Sequence, residues 1–312
     1  MLARRLIRLA RAHWNHASVS ARRRVAGGGL LAFAVAAALA LATPLDECSI
    51  GGGTRIASFN IEHFPKNDRQ VAGAFAAIAE LQAPVVGVQE ITDPARFARE
   101  ARARLGDSWR FVAARNGNDH KVGVLFDSAR MTLLSAREHT GTIVVKGAKP
   151  VLEARLVARE EQQAAEDDPS RVVRLFVVHL KSGADNHGVR ARQLRALTII
   201  LAASRDSGER IVVVGDFNAT QDEDRRAISE LAERTELVWA SEGLGCTCYW
   251  ARRDGCLASA LDHVLTSVPA DVEARGPCET EGCDPQGRCP VFHSEVSDHC
   301  PLTADVLGTG SR

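Results

Sequence analysis

The sequence predicts an α/β fold in which two mixed β-sheets form a sandwich and helices cover its outer faces. Short apolar runs that end at polar residues, such as Val85–Gln89, are typical of buried strands. The first of these runs are separated by apolar residues at helical spacing, whereas later runs follow one another without a helix. This mixture of alternating and consecutive strands indicates the two-sheet arrangement.

Four helices are predicted along the chain. The first can begin at Asn67 or Asp68, since either side chain can cap it. The second begins at Asp93-Pro94, a cap residue followed by a proline in the first turn, and runs to about Leu105. The two remaining predicted helices are Gly188–Ser204 and Asp222–Arg234. On the helix Gly188–Ser204, we expect Arg190, Arg192 and Arg195 to lie on a solvated surface, with a surface that faces the substrate as the alternative.

Ten strands are predicted, and the central ones are almost entirely apolar. The polar, acidic segment Glu160–Ser170 between two of them is expected to be a mobile hairpin loop. No internal repeat or second domain boundary interrupts residues 54–308, which we take as one domain. The predicted strands are Thr54–Phe59, Val85–Gln89, Trp109–Ala113, Lys121–Phe126, Met131–Leu134, Val151–Val157, Arg171–Leu180, Ile211–Gly215, Leu261–Thr266 and Pro301–Val306.

The formal net charge of zero conceals a strong asymmetry. Residues 1–42 carry seven arginines and no acidic side chain, and the other 270 residues carry a net charge of about −7. The basic region 1–24 precedes an uncharged apolar segment, 25–45, and a glycine-rich linker, 46–53. This order predicts a signal peptide cleaved after Ala42 or an uncleaved signal anchor in the membrane. The domain would then be periplasmic, secreted, or held at the outer side of the cytoplasmic membrane.

Eight cysteines agree with export, because disulfides persist in oxidising compartments. Seven of them lie between residues 246 and 300, so we expect disulfides to hold the C-terminal loops together. The pairing cannot be chosen from the sequence. A structural zinc site formed by Cys278, Cys283, Cys289 and His293 is the alternative, although its spacing matches no common zinc motif.

Polar and ionisable residues follow six of the apolar runs, and strand ends are where α/β sheets build their sites. An isolated residue of this kind is usually a cap or a turn former. Because such residues recur after six apolar runs, a functional cluster is the better interpretation. The six segments are Asn60-Ile-Glu62, Gln89-Glu90, His179-Leu-Lys181, Gly215-Asp216-Phe217-Asn218, Leu261-Asp262-His263 and Ser297-Asp298-His299.

The motifs around these residues resemble those of the endonuclease/exonuclease/phosphatase superfamily, which includes deoxyribonuclease I. They are SFNIEHF, VVGVQEI, VVHLKS, VVVGDFNA, LDHVLTS and SDHCPL, and the resemblance extends from about residue 54 to residue 307. It implies a four-layer α/β sandwich and a divalent-metal-dependent hydrolase that acts on phosphoesters.

The resemblance also implies a role for each matching residue. Mg²⁺ is the expected cofactor, with Mn²⁺ or Ca²⁺ as alternatives, because carboxylate and amide oxygens are hard ligands. Its expected ligands are Asn60, Glu62, Glu90 and Asp298. The expected catalytic residues are His179 on the leaving-group side, Asp216 as base, Asn218 beside it, and His299 on the phosphate with Asp262 behind it. His263 should point to the opposite strand face and be structural.

The resemblance and the charge of the domain bear on the substrate class. We expect a nuclease that cleaves DNA or RNA, with a phosphodiesterase or phosphatase acting on phospholipid, sphingomyelin or small phosphoesters as the alternative. The net negative charge of the domain argues against a broad basic nucleic-acid surface. Lys181, Tyr249 and Arg252 are the candidate substrate contacts, and the last two could equally belong to a disulfide-packed loop. We expect a monomer that contacts a membrane only through an uncleaved N-terminal segment.

Overall fold

The structure, a computed structural model, describes residues 53–307. The basic region, the apolar segment 25–45 and almost all of the linker lie outside the described residues, as does Cys48, so the export signal stays a prediction. Within residues 53–307, no helix is long and apolar enough to cross a membrane.

The first of two six-stranded sheets is built around a parallel central pair. That pair places Asn60 opposite Gln89, and the other neighbours in the sheet are antiparallel. Helices α1 (Asp68–Glu80) and α2 (Pro94–Leu105) pack on its outer face through Phe75 and Phe97. In spatial order its strands are β13 (Ala270–Ala274), β14 (Leu302–Val306), β1 (Thr54–Phe64), β2 (Val85–Ile91), β4 (Lys121–Asp127) and β3 (Trp109–Ala113).

The second six-stranded sheet also has a parallel pair near its centre. That pair places His179 opposite Asp216. Helices α3 (His187–Arg205) and α4 (Asp222–Thr235) cover its outer face through Leu197 and Leu231. In spatial order its strands are β5 (Met131–His139), β6 (Val151–Ala158), β7 (Val173–His179), β8 (Arg210–Asp216), β12 (Asp262–Thr266) and β9 (Val238–Trp239).

A core of aliphatic side chains joins the two sheets face to face. Ile56 and Val124 from the first sheet meet Leu175 and Val214 from the second, and all four are at most 1% exposed. Burial of each such side chain contributes about 1.5–3 kcal/mol. Together with the two helical layers, this packing confirms the predicted four-layer sandwich.

Gly215 shows why a glycine precedes the aspartate at the end of β8. Its φ of 137° lies in the region that favours glycine, and a Cβ there would be 2.1 Å from the carbonyl oxygen of Val178. Any other residue would push β8 away from β7. The close approach of these two strands sets the separation of Asp216 from His179.

Most predicted elements are present, with shifted ends. The cap of α1 is Asn67, whose side chain accepts a hydrogen bond from the Gln70 N–H, and Asp93 caps α2 in the same way. Segment 160–170 contains short 3₁₀ turns. The elements that the sequence did not predict are β9, β13, the two-stranded hairpin β10 (Cys248–Arg252) and β11 (Gly255–Ser259), and the short helices α5 (Pro277–Thr280) and α6 (Val291–Glu295).

Three disulfides hold the C-terminal loops together: Cys246–Cys283, Cys256–Cys289 and Cys278–Cys300. They confirm the predicted use of the cysteines and exclude the zinc alternative, because a sulfur in a disulfide cannot act as a thiolate ligand. Among residues 53–307, Cys248 alone is outside a disulfide, and its side chain is buried.

We expect Cys248 to react with iodoacetamide only after the protein is denatured, because burial raises the pKa of its thiol well above the usual value. Mass spectrometry of non-reduced peptides measures this, and the six paired cysteines should stay unlabelled. Labelling of Cys246, Cys256 or Cys278 without a reductant would contradict the pairing.

Candidate active site

The site lies where strand ends of both sheets meet. In the first sheet, Asn60 lies on β1 where its pairing with β2 becomes irregular, and Glu90 lies at the end of β2. In the second sheet, β7 and β8 end at His179 and Asp216. Asp262 begins β12 opposite Asp216. The loop before β14 adds Asp298 and His299, and an isolated bridge pairs His299 with Cys248 at the start of the hairpin.

The backbone of this region is unusual. Six non-glycine residues among residues 53–307 have positive φ, and four of them are Glu62, His63, Glu90 and Asn218. Such conformations cost about 1–3 kcal/mol each and persist where the surroundings enforce them, often at functional sites. Four such residues lie at the edge where the strand ends meet, which indicates that the surrounding structure enforces these backbone conformations and so fixes the side chains there.

His299 is held between carboxylates. Its Nδ1 is 2.7 Å from Asp262 Oδ2, and that same oxygen accepts a 2.8 Å hydrogen bond from the Thr247 hydroxyl. Its Nε2 is 3.9 Å from Asp216 Oδ2 and 3.8 Å from Asp298 Oδ1. Burial alone would lower the pKa of His299, but these carboxylates raise it well above 6.5. The ring is therefore cationic at neutral pH, with Nε2–H directed into the site.

Both carboxylate oxygens of Asp216 accept hydrogen bonds. Asn60 Nδ2 donates to its Oδ2 at 3.1 Å, and the Asn218 backbone N–H donates to its Oδ1 at 2.8 Å. The side-chain amide of Asn218 donates to the Leu180 carbonyl at 3.2 Å, which fixes the loop beside the carboxylate. Burial raises the pKa of Asp216 to about 7, while the His299 cation acts in the opposite direction.

His179 lies on the other side of Asp216. Its Nε2 is 3.5 Å from Asp216 Oδ2, 3.8 Å from Glu90 Oε1 and 3.4 Å from Lys149 Nζ. Burial and the neighbouring Lys149 charge lower the pKa of His179 well below 6.5, so the ring is neutral. Burial also lowers the pKa of Lys149. His179 and Lys149 thus offer a hydrogen bond and a positive charge to a substrate oxygen.

The candidate metal ligands differ in how free their oxygens are. Asp298 Oδ1 is buried without a hydrogen-bond partner among the described residues, which suits a cation. Burial raises the pKa of Asp298, and the Glu62 and Glu90 charges act in the same direction. Glu90, the amide of Asn60 and Asp298 offer hard oxygen donors, the type of ligand that Mg²⁺ prefers.

Other residues of the chain contact both carboxylate oxygens of Glu62, which the resemblance did not imply. One of its oxygens is 2.5 Å from Lys66 Nζ, and the other accepts a 3.1 Å hydrogen bond from the Asp298 N–H. With both oxygens engaged, Glu62 fixes the loop that carries Asp298. The structure therefore favours Glu62 as a positioning residue over a direct metal ligand.

The candidate substrate contacts separate into two groups. Lys181 is partly exposed, and its charge acts on both Lys149 and His179. Arg252 is exposed on β10. Tyr249, in contrast, is 1% exposed and donates its hydroxyl to the Gly282 carbonyl at 2.6 Å, so the structure corrects its expected role to support of the disulfide-rich loop. Its neighbour Trp250, 39% exposed, occupies the surface position.

Two groups at the site were missed in the sequence. Lys149 precedes β6, and only its contact with His179 across the fold reveals it. Thr247 lies between two cysteines, and its hydroxyl also accepts the backbone N–H groups of Leu261 and Asp262. Neither residue follows a strand, which was the signal used for the others.

His263 is structural, as the alternation of β12 predicted. It is fully buried, its ring packs edge-on against Phe217 and Trp239, and its Nδ1 is 3.3 Å from the Ser241 hydroxyl. Burial lowers the pKa of His263 from 6.5 to about 3. The ring therefore stays neutral in the folded protein through the mildly acidic range.

This burial gives a pH-dependent stability. Below pH 6.5 the unfolded chain protonates His263 and the folded chain does not, so the stabilisation present above pH 6.5 is lost as the pH falls. At pH 5 the expected loss is about 2 kcal/mol. Urea unfolding at pH 7 and pH 5 should show this extra loss in the wild type relative to His263→Phe. Equal losses in both proteins would contradict the assignment.

Comparison with known proteins agrees with the geometry. Solved structures similar to this chain include D. rerio TDP2 complexed with single strand DNA product (16% identity, TM-score 0.61, 81% of this chain and 98% of that chain covered). The human Nocturnin catalytic domain with bound sulfate is also similar (16% identity, TM-score 0.59, 82% and 94% covered). A third is an endonuclease/exonuclease/phosphatase from Bacteroides vulgatus (16% identity, TM-score 0.56, 81% and 98% covered).

A comparison with curated protein sequences found no match. The sequence model of the Endonuclease/Exonuclease/phosphatase family, however, matches residues 57–299, which include every catalytic and metal-binding candidate. Members of this family are hydrolases that act on phosphoesters and use divalent metals. The chain belongs to the endonuclease/exonuclease/phosphatase family.

Proposed function

We propose that the protein is an exported, divalent-metal-dependent phosphodiester hydrolase and that its substrate is a nucleic acid. The observation that supports a hydrolase best is the position of His299, whose Nδ1 lies 2.7 Å from Asp262 Oδ2 and whose Nε2 lies 3.9 Å from Asp216 and 3.8 Å from Asp298. A cation, a base and a set of oxygen ligands around one point are what hydrolysis of an anionic ester requires.

Asp216 is the base in this proposal. A carboxylate whose pKa lies near neutrality takes a proton from water more effectively than an ordinary aspartate. The water oxygen forms a bond to phosphorus as its proton passes to Asp216. Asn60 and the Asn218 N–H hold the carboxylate in place during this step.

His299 stabilises the charge that develops on the phosphate. Its Nε2–H donates to a non-bridging oxygen, and Asp262 keeps the proton on Nδ1, so the ring remains a double donor. As the bond from phosphorus to the ester oxygen breaks, the departing oxygen needs a proton or a positive charge. Lys149 lies beside His179 to supply that charge on the leaving-group side.

Asn60, Glu90 and Asp298 would hold the divalent cation. When bound, that cation neutralises negative charge on the phosphate. The chain itself supplies the hard oxygen donors, and Glu62 accepts a hydrogen bond from the Asp298 backbone N–H, which fixes the loop that carries this carboxylate.

A cleft beside the catalytic loop supports a nucleic-acid substrate. It has a volume of about 720 Å³, and one of the residues that line it is Ala219, which follows Asn218 in the sequence. Trp250 and Leu257 give it an exposed apolar wall, and Arg225 and Arg252 supply positive charge. An aromatic surface beside cations suits bases and phosphates of a single strand. The single strand DNA product bound by the similar D. rerio TDP2 favours the same substrate class.

A substrate panel tests the proposal. The full chain is incubated with single-stranded DNA, plasmid DNA, RNA, sphingomyelin and inositol phosphates, each with Mg²⁺ or with EDTA. We expect Mg²⁺-dependent cleavage of nucleic acid. Chelator-sensitive hydrolysis of lipid or inositol phosphate without nucleic-acid cleavage would overturn the nuclease and keep the hydrolase. No turnover of any substrate would overturn both.

Replacing Trp250 with alanine should weaken binding of single-stranded DNA without slowing the chemical step. Stacking of a base on an aromatic ring contributes about 1–3 kcal/mol, so KM should rise at least about fivefold while kcat changes little. Steady-state kinetics with a fluorescent oligonucleotide measures the split. Ile199→Ala, which removes an exposed apolar side chain from the outer face of α3, is the matched control. An unchanged KM in Trp250→Ala would show that this cleft does not bind the DNA strand.

Export is supported by the three disulfides, which persist in an oxidising compartment. Fractionation of the source cells, with antibody detection and N-terminal sequencing, tests it. We expect the protein outside the cytoplasm, either cleaved after Ala42 or retained at the membrane. A cytoplasmic protein with an intact N-terminus would contradict export.

A further inference from the structure

Two histidines at the rim of the site play no part in the proposed hydrolysis. His63 Nδ1 is 2.6 Å from His120 Nε2, and the two ring centroids are 4.6 Å apart. His63 Nδ1 is also 3.6 Å from Glu90 Oε2. One nitrogen from each ring and one carboxylate oxygen all lie within 4.8 Å of one another.

The backbone holds these groups in place. His63 has a φ of 55°, a backbone conformation that residues other than glycine rarely adopt. Its backbone N–H donates to Glu90 Oε2 at 3.1 Å. The His120 N–H donates to Asn118 Oδ1 at 3.2 Å. Both rings are therefore brought to Glu90 by local structure.

The short contact between the rings also constrains their protonation. Two N–H groups cannot face each other at 2.6 Å, so at least one of the facing nitrogens carries a lone pair. A lone pair on an imidazole nitrogen is the group that binds a transition metal ion. Nothing in hydrolysis by Asp216 and His299 requires this arrangement.

We propose that His63, His120 and Glu90 bind a transition metal ion of the zinc type, at a second site beside the oxygen-donor site. Two imidazoles and a carboxylate suit Zn²⁺, whereas Mg²⁺ prefers oxygen ligands alone. Bond lengths of about 2.0–2.1 Å in a tetrahedron place ligand atoms about 3.3 Å apart. The two rings must separate by less than about 1 Å to reach that spacing, and the exposed His63 side chain has room to move.

Glu90 connects the two sites. Its Oε2 faces the histidines, and its Oε1 is 3.8 Å from His179 Nε2 inside the catalytic cluster. Three protein ligands leave a fourth zinc position open to water. The link to hydrolysis rests on the proposed function, but the binding of the metal does not.

Cobalt tests the site without any measurement of activity, because Co²⁺ in a tetrahedral nitrogen and oxygen site absorbs visible light. The full chain is titrated with Co²⁺ in the presence of excess Mg²⁺, and Zn²⁺ is then added to displace the cobalt. We expect one equivalent of Co²⁺ with a d–d band that Zn²⁺ abolishes.

Variants locate the binding. Loss of a residue that only hydrogen-bonds to a metal ligand costs about 10–100-fold in metal affinity. Loss of a ligand itself should cost at least as much, so His63→Ala and His120→Ala should each weaken Co²⁺ binding at least about tenfold. His187→Ala, which removes an exposed histidine at the start of α3, should bind like the wild type. Circular dichroism confirms that the variants are folded.

Two results would overturn the site. One is a wild type without a stoichiometric cobalt band, and the other is unchanged affinity in folded His63→Ala and His120→Ala. Failure of the nuclease proposal is seen separately, as absence of Mg²⁺-dependent cleavage, and leaves the cobalt titration unaffected.

Discussion

Asp216→Asn is expected to lower kcat at least about a thousandfold and to leave the fold intact. The amide has nearly the same shape but cannot take a proton from water. It has one acceptor oxygen in place of two, so it keeps the hydrogen bond from the Asn218 N–H or from the Asn60 amide and loses the other. Single-turnover cleavage of an oligonucleotide measures the effect, and circular dichroism measures the fold.

The loss should be specific to this carboxylate. Asp271→Asn makes the same chemical change at an exposed position on β13 and should keep full activity. His299→Ala should cost as much as Asp216→Asn, since it removes the cation that meets the developing charge. Near-normal turnover in Asp216→Asn or in His299→Ala would refute the role assigned to that residue.

Arg190→Met is expected to lower the free energy of unfolding by about 3–5 kcal/mol, because it leaves the Asp224 carboxylate buried without its partner. Arg190 is fully buried on α3 and contacts both Asp224 oxygens at 2.7 Å. It also donates to the carbonyls of Lys181 and Gly183 at 3.0 and 2.7 Å. This pair thus joins the loop after His179 to the start of α4.

Urea unfolding at pH 7 measures the change. Arg195→Met, an exposed position on the same helix, should stay within about 0.5 kcal/mol of the wild type. The double variant Arg190→Met with Asp224→Leu should recover part of the loss, because neither charge is then left unpaired. Equal stability of Arg190→Met and Arg195→Met would show that the pair contributes little.

The fold was largely predictable because its signals are local. The caps at Asn67 and Asp93 and the apolar runs of β2 and β8 each depend on a few neighbouring residues. The hairpin β10–β11 was not predicted, and the Cys256–Cys289 disulfide that connects its second strand to a distant loop depends on the tertiary fold. The expectation that Arg190 lies on a solvated surface was wrong, because its side chain is fully buried. The sequence did hold a local signal for this, since Arg190 shares its helix face with Leu194, Leu197 and Leu201.

The site was predictable to the extent that its residues follow strands. His179 and Asp216 lie together at the ends of β7 and β8, as predicted. Asp262 begins β12 and His299 precedes β14, so the motifs, and not a position after a strand, indicated their place in the site. Lys149 lies outside the six segments, and only its long-range contact with His179 places it at the site. The engagement of Glu62 with Lys66 and the burial of Tyr249 depend on side-chain geometry, which a motif does not specify.

The central claim is that this cluster hydrolyses a phosphodiester by attack of water on phosphorus. The direct measurement is cleavage of a DNA oligonucleotide in H₂¹⁸O by the wild type, with Mg²⁺ or with EDTA, followed by mass spectrometry of the products. We expect one ¹⁸O atom in the newly formed terminal phosphate with Mg²⁺, and no cleavage with EDTA or with Asp216→Asn. Cleavage without ¹⁸O in the phosphate, or equal cleavage in EDTA, would contradict the claim.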